Sequence, residues 1–209
     1  MNDTFFTDNE RELIKTSLEE GHKSWNNDCL ENLKSRLKEH IKKRQNFVCC
    51  YCLRNLNGEF NFVIDIEHIL PKSKFTHFMF TLDNLAVSCK RCNMNIKGDK
   101  LDFISCDVNA SKNPFRSENY YFIHPNSDIF EDHIEYTMLQ KGRKVFVFYN
   151  IINNSIKGRY SYDFFKLDRL VINCFDEAQG LDAHDENSTF SSKLMEEIKN
   201  LEKIYEQGQ

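Results

Sequence analysis

CCYC at residues 49–52, DIEHILP at residues 65–71 and CKRCN at residues 89–93 are the motifs that decide how this chain folds. The first and third motifs each contain a C-x-x-C pair, Cys49 with Cys52 and Cys89 with Cys92. Two such pairs commonly supply the four thiolates of a tetrahedral structural Zn²⁺ site, which keeps no open position. We therefore predict a structural zinc staple, with two unrelated pairs of buried or redox-active thiols as the alternative. Residues 53–88 exceed the spacer of a simple zinc ribbon, so a folded segment should lie between the pairs.

The composition indicates a folded chain without a strongly basic character. Hydrophobic residues make up 40% of the sequence, and 28 basic residues stand against 32 acidic ones, for a net charge of -4. This balance lacks the global positive charge of many nucleic-acid binders, so any such contact must be local. No apolar run reaches the roughly 18 residues of a membrane span, and the first residues lack the features of a secretory signal. We expect a cytoplasmic protein with reduced cysteines, and neither a membrane partner nor a small-molecule substrate.

The N-terminal part of the chain is predicted to form two helices. Thr7 and Glu10 have the spacing of a capping box, and Gly21 is a suitable stop for the helix that follows. A second helix is expected from near Asn26 or Asn27, because apolar residues then recur at helical spacing. These residues are Leu30, Leu33, Leu37 and Ile41.

The middle of the chain carries strand signals. An Asn-Gly turn at residues 57–58 and alternating apolar residues at 60–66 predict a strand that follows a tight turn. Because side chains alternate along a strand, Asp65 and Glu67 should share one face. Residues 85–87 predict a short return strand, after which the second C-x-x-C pair should turn into a helix.

The C-terminal part is predicted to contain a hairpin and helices. Alternation and turn chemistry pair residues 134–139 with residues 145–149, and helices are expected at 162–174 and 191–206. These patterns together predict the α+β class. We divide the chain into a helical segment, a zinc-stapled core and a C-terminal segment that could dock a partner, at residues 1–46, 47–105 and 106–209.

The polar face of the second predicted helix is basic. From Lys34 to Arg44 it carries six Lys or Arg against one Glu. Such a face is often only solvated, and its cations also suit a helix C-terminus. Because the run leads directly into the first C-x-x-C pair, we favour a surface that contacts nucleic-acid phosphates. The residues assigned to it, with two from the middle segment, are Lys38, Lys42, Lys43, Arg44, Lys72 and Lys97.

The order of the central motifs resembles the HNH endonuclease family. Between and after the C-x-x-C pairs the chain presents the elements that carry this resemblance, namely Asp65, Glu67, His68, Asn84 and Asn93. The resemblance implies a zinc-stapled ββα-metal core that hydrolyses phosphodiester bonds of DNA.

The resemblance also implies roles for these residues. His68 would be the general base that deprotonates the attacking water, and Asn84 would orient its imidazole from the facing strand. Glu67 and Asn93 would hold one divalent ion, with Asp65 assisting from the same strand face. An imidazole can activate water near neutral pH, and hard oxygen ligands suit Mg²⁺ or Mn²⁺.

Two positions depart from the commonest family pattern. Asn93 stands where many members have His, which would favour Mg²⁺ over softer metals, and Glu67 stands where Asp is more frequent. Both changes leave the identity of the catalytic metal open. His68 beside a carboxylate could also be a structural hydrogen-bonded pair.

The size and layout of the chain are similar to the HNH nuclease subunits of Septu-type and retron-linked anti-phage systems. That similarity implies a partner ATPase of the SMC/ABC-like class, held by the C-terminal segment. Two alternatives stay open. One is a catalytically silent, zinc-stapled module for nucleic-acid binding or protein docking, and the other is a restriction or homing nuclease that acts alone.

Overall fold

The computed structural model describes residues 5–172, which fall into two compact units. The first unit contains the described residues up to Glu135 together with residues 151–167. The second contains residues 136–150 and the described residues from Asp168 onward. The fold mixes helices and strands around a buried group of four cysteines, so the predicted α+β class is confirmed.

Two helices open the first unit. Helix α1 spans Asp8–Glu20 and begins with the predicted capping box, in which the Thr7 amide donates to Glu10 Oε2 at 2.8 Å. It ends at Gly21, whose φ of 88° suits a residue without a side chain. Helix α2 spans Glu31–Arg44, later than predicted, because His22–Asn26 and Asp28–Leu30 form two 3₁₀ turns before it.

The central segment forms two antiparallel strands followed by a helical turn. Strand β1 spans Ile64–His68 and strand β2 spans Leu85–Cys89, with Asp65 opposite Ser88 and Glu67 opposite Ala86. A π-helical turn at Arg91–Lys97 then closes the segment at Gly98. The prediction that this strand starts at residue 60 was wrong, because β1 begins at Ile64.

The residues before β1 follow the strand pattern but do not pair with β2. Asn61–Val63 form a 3₁₀ turn. Phe60 and Phe62 are 69% and 73% exposed, so their alternation with polar neighbours does not reflect a buried face. The Asn-Gly turn is present, with Gly58 at a φ of 80°.

The remaining described elements lie towards the C-terminus. The predicted hairpin is confirmed as strands β3, Ile134–Lys141, and β4, Lys144–Ile151. Helix α3 spans Ile156–Phe164, so the helix predicted at 162–174 starts and ends earlier than expected. The helix predicted at 191–206 lies outside the described residues. No helix in the described part combines the length and the apolar character needed to cross a bilayer.

His124 is a core histidine of the first unit with an unsatisfied ring nitrogen. Its side chain is 0% exposed, its Nδ1 accepts from the Asn126 amide at 3.2 Å, and Nε2 has no partner among the described residues. Burial lowers the pKa of His124 to about 4. The folded protein therefore holds this imidazole neutral over a pH range in which the unfolded chain protonates it.

We expect this histidine to make the folded protein less stable in mild acid. Because the folded pKa lies below the unfolded one, stability is fully present above about pH 6.5 and falls as the pH drops towards 4. Lowering the pH from 7.5 to 5 should cost about 2 kcal/mol through this one group. Urea unfolding of His124→Phe should show a shallower pH dependence, and exposed His77→Ala should keep the wild-type slope. Equal slopes in all three proteins would contradict this.

A candidate active site beside a four-cysteine cluster

The four cysteines predicted to form a staple come together in the first unit. The Sγ atoms of Cys49, Cys52, Cys89 and Cys92 all lie within 4.8 Å of one another, and all four residues are buried. Cys52 Sγ and Cys89 Sγ are 3.9 Å apart. Four sulfurs about 2.3 Å from one central ion would be about 3.8 Å from each other, whereas a disulfide requires about 2 Å. The geometry therefore fits a tetrahedral Zn²⁺ site.

A backbone contact already stabilises a thiolate in this cluster. The Cys89 amide donates to Cys49 Sγ at 3.3 Å, and so links the first C-x-x-C pair to the end of β2. Cys29 and Cys106 are exposed and lie outside the cluster. The staple thus connects the turn after α2 to the segment that carries β2 and the π-helical turn.

A cleft of about 810 Å³ lies beside β1. Its walls are the 3₁₀ turn at His22–Asn26, helix α2, strand β1 and the π-helical turn. Four of the five residues predicted to carry the chemistry line it, namely Asp65, Glu67, His68 and Asn93. Asn84 does not line the cleft.

His68 lies deep in the cleft, with 7% of its surface exposed. Its Nε2 is 3.1 Å from the Met79 carbonyl oxygen, and its ring packs at 80° against the Trp25 ring with 4.6 Å between centroids. Burial lowers the pKa of His68 to about 3, and Lys72 and Lys97 act in the same direction. A carbonyl only accepts hydrogen bonds, so the neutral ring carries its proton on Nε2 and keeps a lone pair on Nδ1.

Asn84 has a different partner from the one we predicted. It was expected to orient the His68 imidazole directly, but its side chain is fully buried against backbone groups instead. Its Oδ1 accepts from the Leu70 amide at 2.7 Å, and its Nδ2 donates to the carbonyls of Leu70 and Phe78 at 3.1 Å each. Asn84 thereby holds both ends of the loop that presents the Met79 carbonyl to His68, so it acts on the imidazole indirectly.

Glu67 is held by Tyr51 from the first cysteine motif and by Lys97 at the end of the π-helical turn. Its Oε1 accepts from Lys97 Nζ at 2.7 Å and from the Tyr51 hydroxyl at 3.0 Å, and Glu67 and Lys97 are each 1% exposed. Burial raises the pKa of Glu67, while Lys97 and Tyr51 oppose that shift. Lys97 also donates to the His68 carbonyl at 2.9 Å. Our prediction that Lys97 contacts nucleic acid was therefore wrong, because its ammonium group is occupied inside the core.

Asp65 and Asn93 form a second polar group in the cleft. Asn93 Nδ2 donates to Asp65 Oδ2 at 3.1 Å, and Lys90 Nζ is 3.0 Å from Asp65 Oδ1. The four cysteines are the one group of three or more His, Cys, Asp or Glu ligands found within residues 5–172. A second cation would therefore need the amide oxygen of Asn93 beside the carboxylates of Asp65 and Glu67. This hard-oxygen set is chemically suited to Mg²⁺ or Mn²⁺.

The other five residues predicted to contact phosphates differ in their surroundings. Lys38 and Lys72 line the cleft, and Lys43 is exposed elsewhere on α2. Lys42 is 9% exposed and pairs with Glu39 at 2.9 Å. Arg44 donates to the Leu85 carbonyl at 2.6 Å and to Asn126. The burial of Lys42 contradicts its assignment as a phosphate ligand, whereas Arg44 is exposed and its assignment stays a prediction.

Sequence reasoning missed three residues of the cleft wall. Lys34 and Lys90 line the cleft with Lys38 and Lys72, and Trp25 packs against His68. Lys34 belongs to the basic run, so its position on α2 was a usable signal. Trp25 lies in a 3₁₀ turn without helical or strand periodicity, and nothing in its neighbourhood indicated a contact with His68.

The fold and site together define an α+β protein with a buried four-cysteine cluster that could hold a metal ion, and with a polar cleft beside β1. The chain is similar to the Septu protein PtuB of Bacillus thuringiensis, with 30% identity over 115 residues. The match covers 53% of this chain and 41% of that relative, so it spans less than half of the relative's length. No family model matches the chain. No solved structure matches it either.

Proposed function

We propose that the chain is a metal-dependent HNH-type endonuclease that hydrolyses DNA phosphodiester bonds in a Septu-type anti-phage defence system. The observation that carries this proposal is the neutral, buried His68 in a cleft that also contains Asp65 and Asn93. A general base needs a free lone pair and a fixed orientation. The Met79 contact supports both properties, because it accounts for the Nε2 proton and leaves Nδ1 as the acceptor.

The residues of the cleft would divide the work of hydrolysis. Nδ1 of His68 would take the proton from the attacking water, and Lys38 and Lys72 would contact the phosphates on either side. Asp65, Asn93 and Glu67 would hold the divalent ion, which supplies positive charge for the phosphorane-like transition state and the leaving oxygen. Tyr51 and Lys97 would fix the Glu67 carboxylate. The zinc staple would hold both of these residues in place.

The similarity to a Septu protein supports the proposed biological setting. We further propose that a partner ATPase of the SMC/ABC-like class controls the nuclease, and that residues 106–209 contribute to its docking. The cleft contains several cations, which suit phosphate contacts that carry no sequence information. A silent module would bind DNA without cutting it, and an independent nuclease would cut without the partner.

Asn93→Ala tests the proposed function with a close control. We expect the wild-type protein, alone or with its partner, to nick supercoiled plasmid with Mg²⁺ or Mn²⁺ but not with EDTA. Removal of the Asn93 oxygen should raise the metal concentration needed for half-maximal nicking by about tenfold or more. Asn95→Ala is the matched control, because Asn95 lies in the same π-helical turn but is exposed and outside the cleft lining.

The outcomes separate the alternatives. Nicking by wild type and Asn95→Ala, with a raised metal requirement for Asn93→Ala, supports an active site in this cleft. Equal metal dependence of all three proteins would indicate a contaminating nuclease and contradict the proposal. Binding of plasmid without cleavage under either metal, with the partner present, would favour the silent module. The same assay on single-stranded DNA and on RNA identifies the substrate.

A further inference from the structure

Trp25 is the one tryptophan of the chain, and it lies against the proposed base. Its side chain is 9% exposed, and its ring is nearly perpendicular to the His68 ring at 4.6 Å. A second aromatic neighbour of the indole among the described residues is Phe80, at 5.3 Å between ring centroids. Trp25 therefore fills the space between the N-terminal segment and the loop that presents Met79 to His68.

The backbone around Trp25 is anchored on both sides. The Ser24 hydroxyl is 2.7 Å from the Ser17 carbonyl and 2.7 Å from the Gly21 carbonyl, which joins the turn to the end of α1. Lys34 Nζ donates to the Trp25 carbonyl at 3.1 Å, which joins the same turn to α2. The indole thus belongs to a fixed part of the fold.

A hydrogen bond and a ring contact restrain different motions of an imidazole. The Met79 carbonyl restrains Nε2, but a single acceptor permits the ring to tilt about the line that joins the two atoms. An aromatic neighbour at a near-perpendicular angle opposes that tilt, because the edge-to-face arrangement has a preferred geometry. The two contacts together define the direction of the Nδ1 lone pair.

We propose that Trp25 is a positioning residue for His68, and that the N-terminal helical segment is for this reason a part of the active site. This inference rests on the proposed nuclease function. The same segment supplies Lys34 and Lys38 to the cleft wall, so it would also meet the substrate. Trp25 itself would not contact DNA, since most of its surface is covered.

Three Trp25 variants test the role of the ring through steady-state kinetics. Trp25→Leu keeps apolar bulk but removes the ring, and should lower kcat by up to about 100-fold with little change in KM, because misplacement of a catalytic group affects the chemical step. Trp25→Phe should recover most of the lost kcat. Trp25→Ala should be at least as slow as Trp25→Leu. Wild-type kcat in Trp25→Leu, or a Trp25→Phe variant as slow as Trp25→Leu, would overturn the proposal.

A spectroscopic measurement tests the same contact without activity. In ¹⁵N-labelled wild-type protein, His68 should give the signals of one Nε2–H tautomer and show nuclear Overhauser effects to the Trp25 ring. Trp25→Leu should broaden or shift these imidazole signals, and Trp25→Phe should do so less. A mixture of tautomers in the wild type, or no effect between the two rings, would overturn the proposal even where Trp25→Leu fails to fold.

Fluorescence of the single tryptophan tests the Trp25–His68 contact independently of nuclease activity. Because the indole emission comes from one site, His68→Ala should change its wavelength or intensity, and exposed His40→Ala should not. If the wild-type protein is inactive but gives the expected fluorescence and magnetic resonance results, the nuclease function is contradicted and the Trp25–His68 contact is supported. If the wild-type protein is active but its tryptophan emission is unchanged by His68→Ala, only the positioning role of Trp25 is contradicted.

Discussion

Cys49→Ala should unfold the core of the first unit or leave it only marginally stable. The cluster draws ligands from two distant parts of the chain, and Cys49 also accepts the Cys89 amide. Structural zinc sites contribute about 10–16 kcal/mol of apparent binding free energy in small peptides, whereas whole domains are stable by about 5–15 kcal/mol. The loss of one ligand should therefore lower the free energy of unfolding by several kcal/mol.

Zinc analysis and denaturation measure this effect together. We expect one equivalent of zinc in the wild type, and a large fall in the thermal midpoint after treatment with a strong chelator. Cys49→Ala should resemble the chelated protein in both zinc content and midpoint. Cys29→Ala is the control, because this exposed cysteine lies outside the cluster. Wild-type stability in Cys49→Ala, or a wild type that binds no zinc, would contradict a structural staple.

The features that sequence predicted well depend on short-range patterns. The capping box of α1 needs only Thr7 and Glu10, and both of its hydrogen bonds are present. The cysteine pairs supply a characteristic spacing, and their four sulfur atoms meet. The hairpin of β3 and β4 follows local alternation and a turn at Gly142. In each case the deciding pattern is local, although the two cysteine pairs are themselves separated by residues 53–88.

Errors arose where the environment of a side chain depends on distant residues. Lys97 has the composition of a surface cation, but Glu67 pairs with its ammonium group and Phe103 lies 5.5 Å away. The alternation at Phe60 and Phe62 continues beyond the residues that β2 can pair. No local pattern reveals that Lys97 is buried, or that Phe60 and Phe62 stay exposed outside the sheet.

The candidate site shows the same division. Asp65 and Glu67 alternate along one short strand, so their common location in the cleft could be expected. The same alternation does not predict that His68, the residue directly after Glu67, also lines the cleft. The motif order identifies Asn84 as a candidate residue, but its contacts depend on the conformation of the loop from Leu70 to Phe78. The contact of Trp25 with His68 required the tertiary packing of α1 and α2.

His68→Ala should abolish DNA cleavage while leaving a folded protein. Positioned general bases contribute about 10²- to 10⁴-fold to a rate, so the single-turnover rate should fall by that factor. The substitution also removes the partner of the Met79 carbonyl and a contact of Trp25, which should cost about 1–3 kcal/mol of stability. The zinc ligands do not contact this ring through any described bond, so zinc content should stay at one equivalent.

His40→Ala is the matched control for that substitution. His40 is exposed on α2 and its ring contacts Phe5, so its removal tests the loss of a histidine without a change in the cleft. Single-turnover rates at saturating metal and DNA compare the chemical step directly, and DNA binding measured beside them shows whether the substrate still reaches the cleft. A slow His68→Ala protein that binds DNA normally places the defect in the chemical step, since a binding defect would change affinity as well. Equal cleavage by His68→Ala and wild type would exclude His68 as the base. The same result would remove the main reason for placing the attacking water in this cleft, because Nδ1 is the acceptor that the neutral ring leaves open.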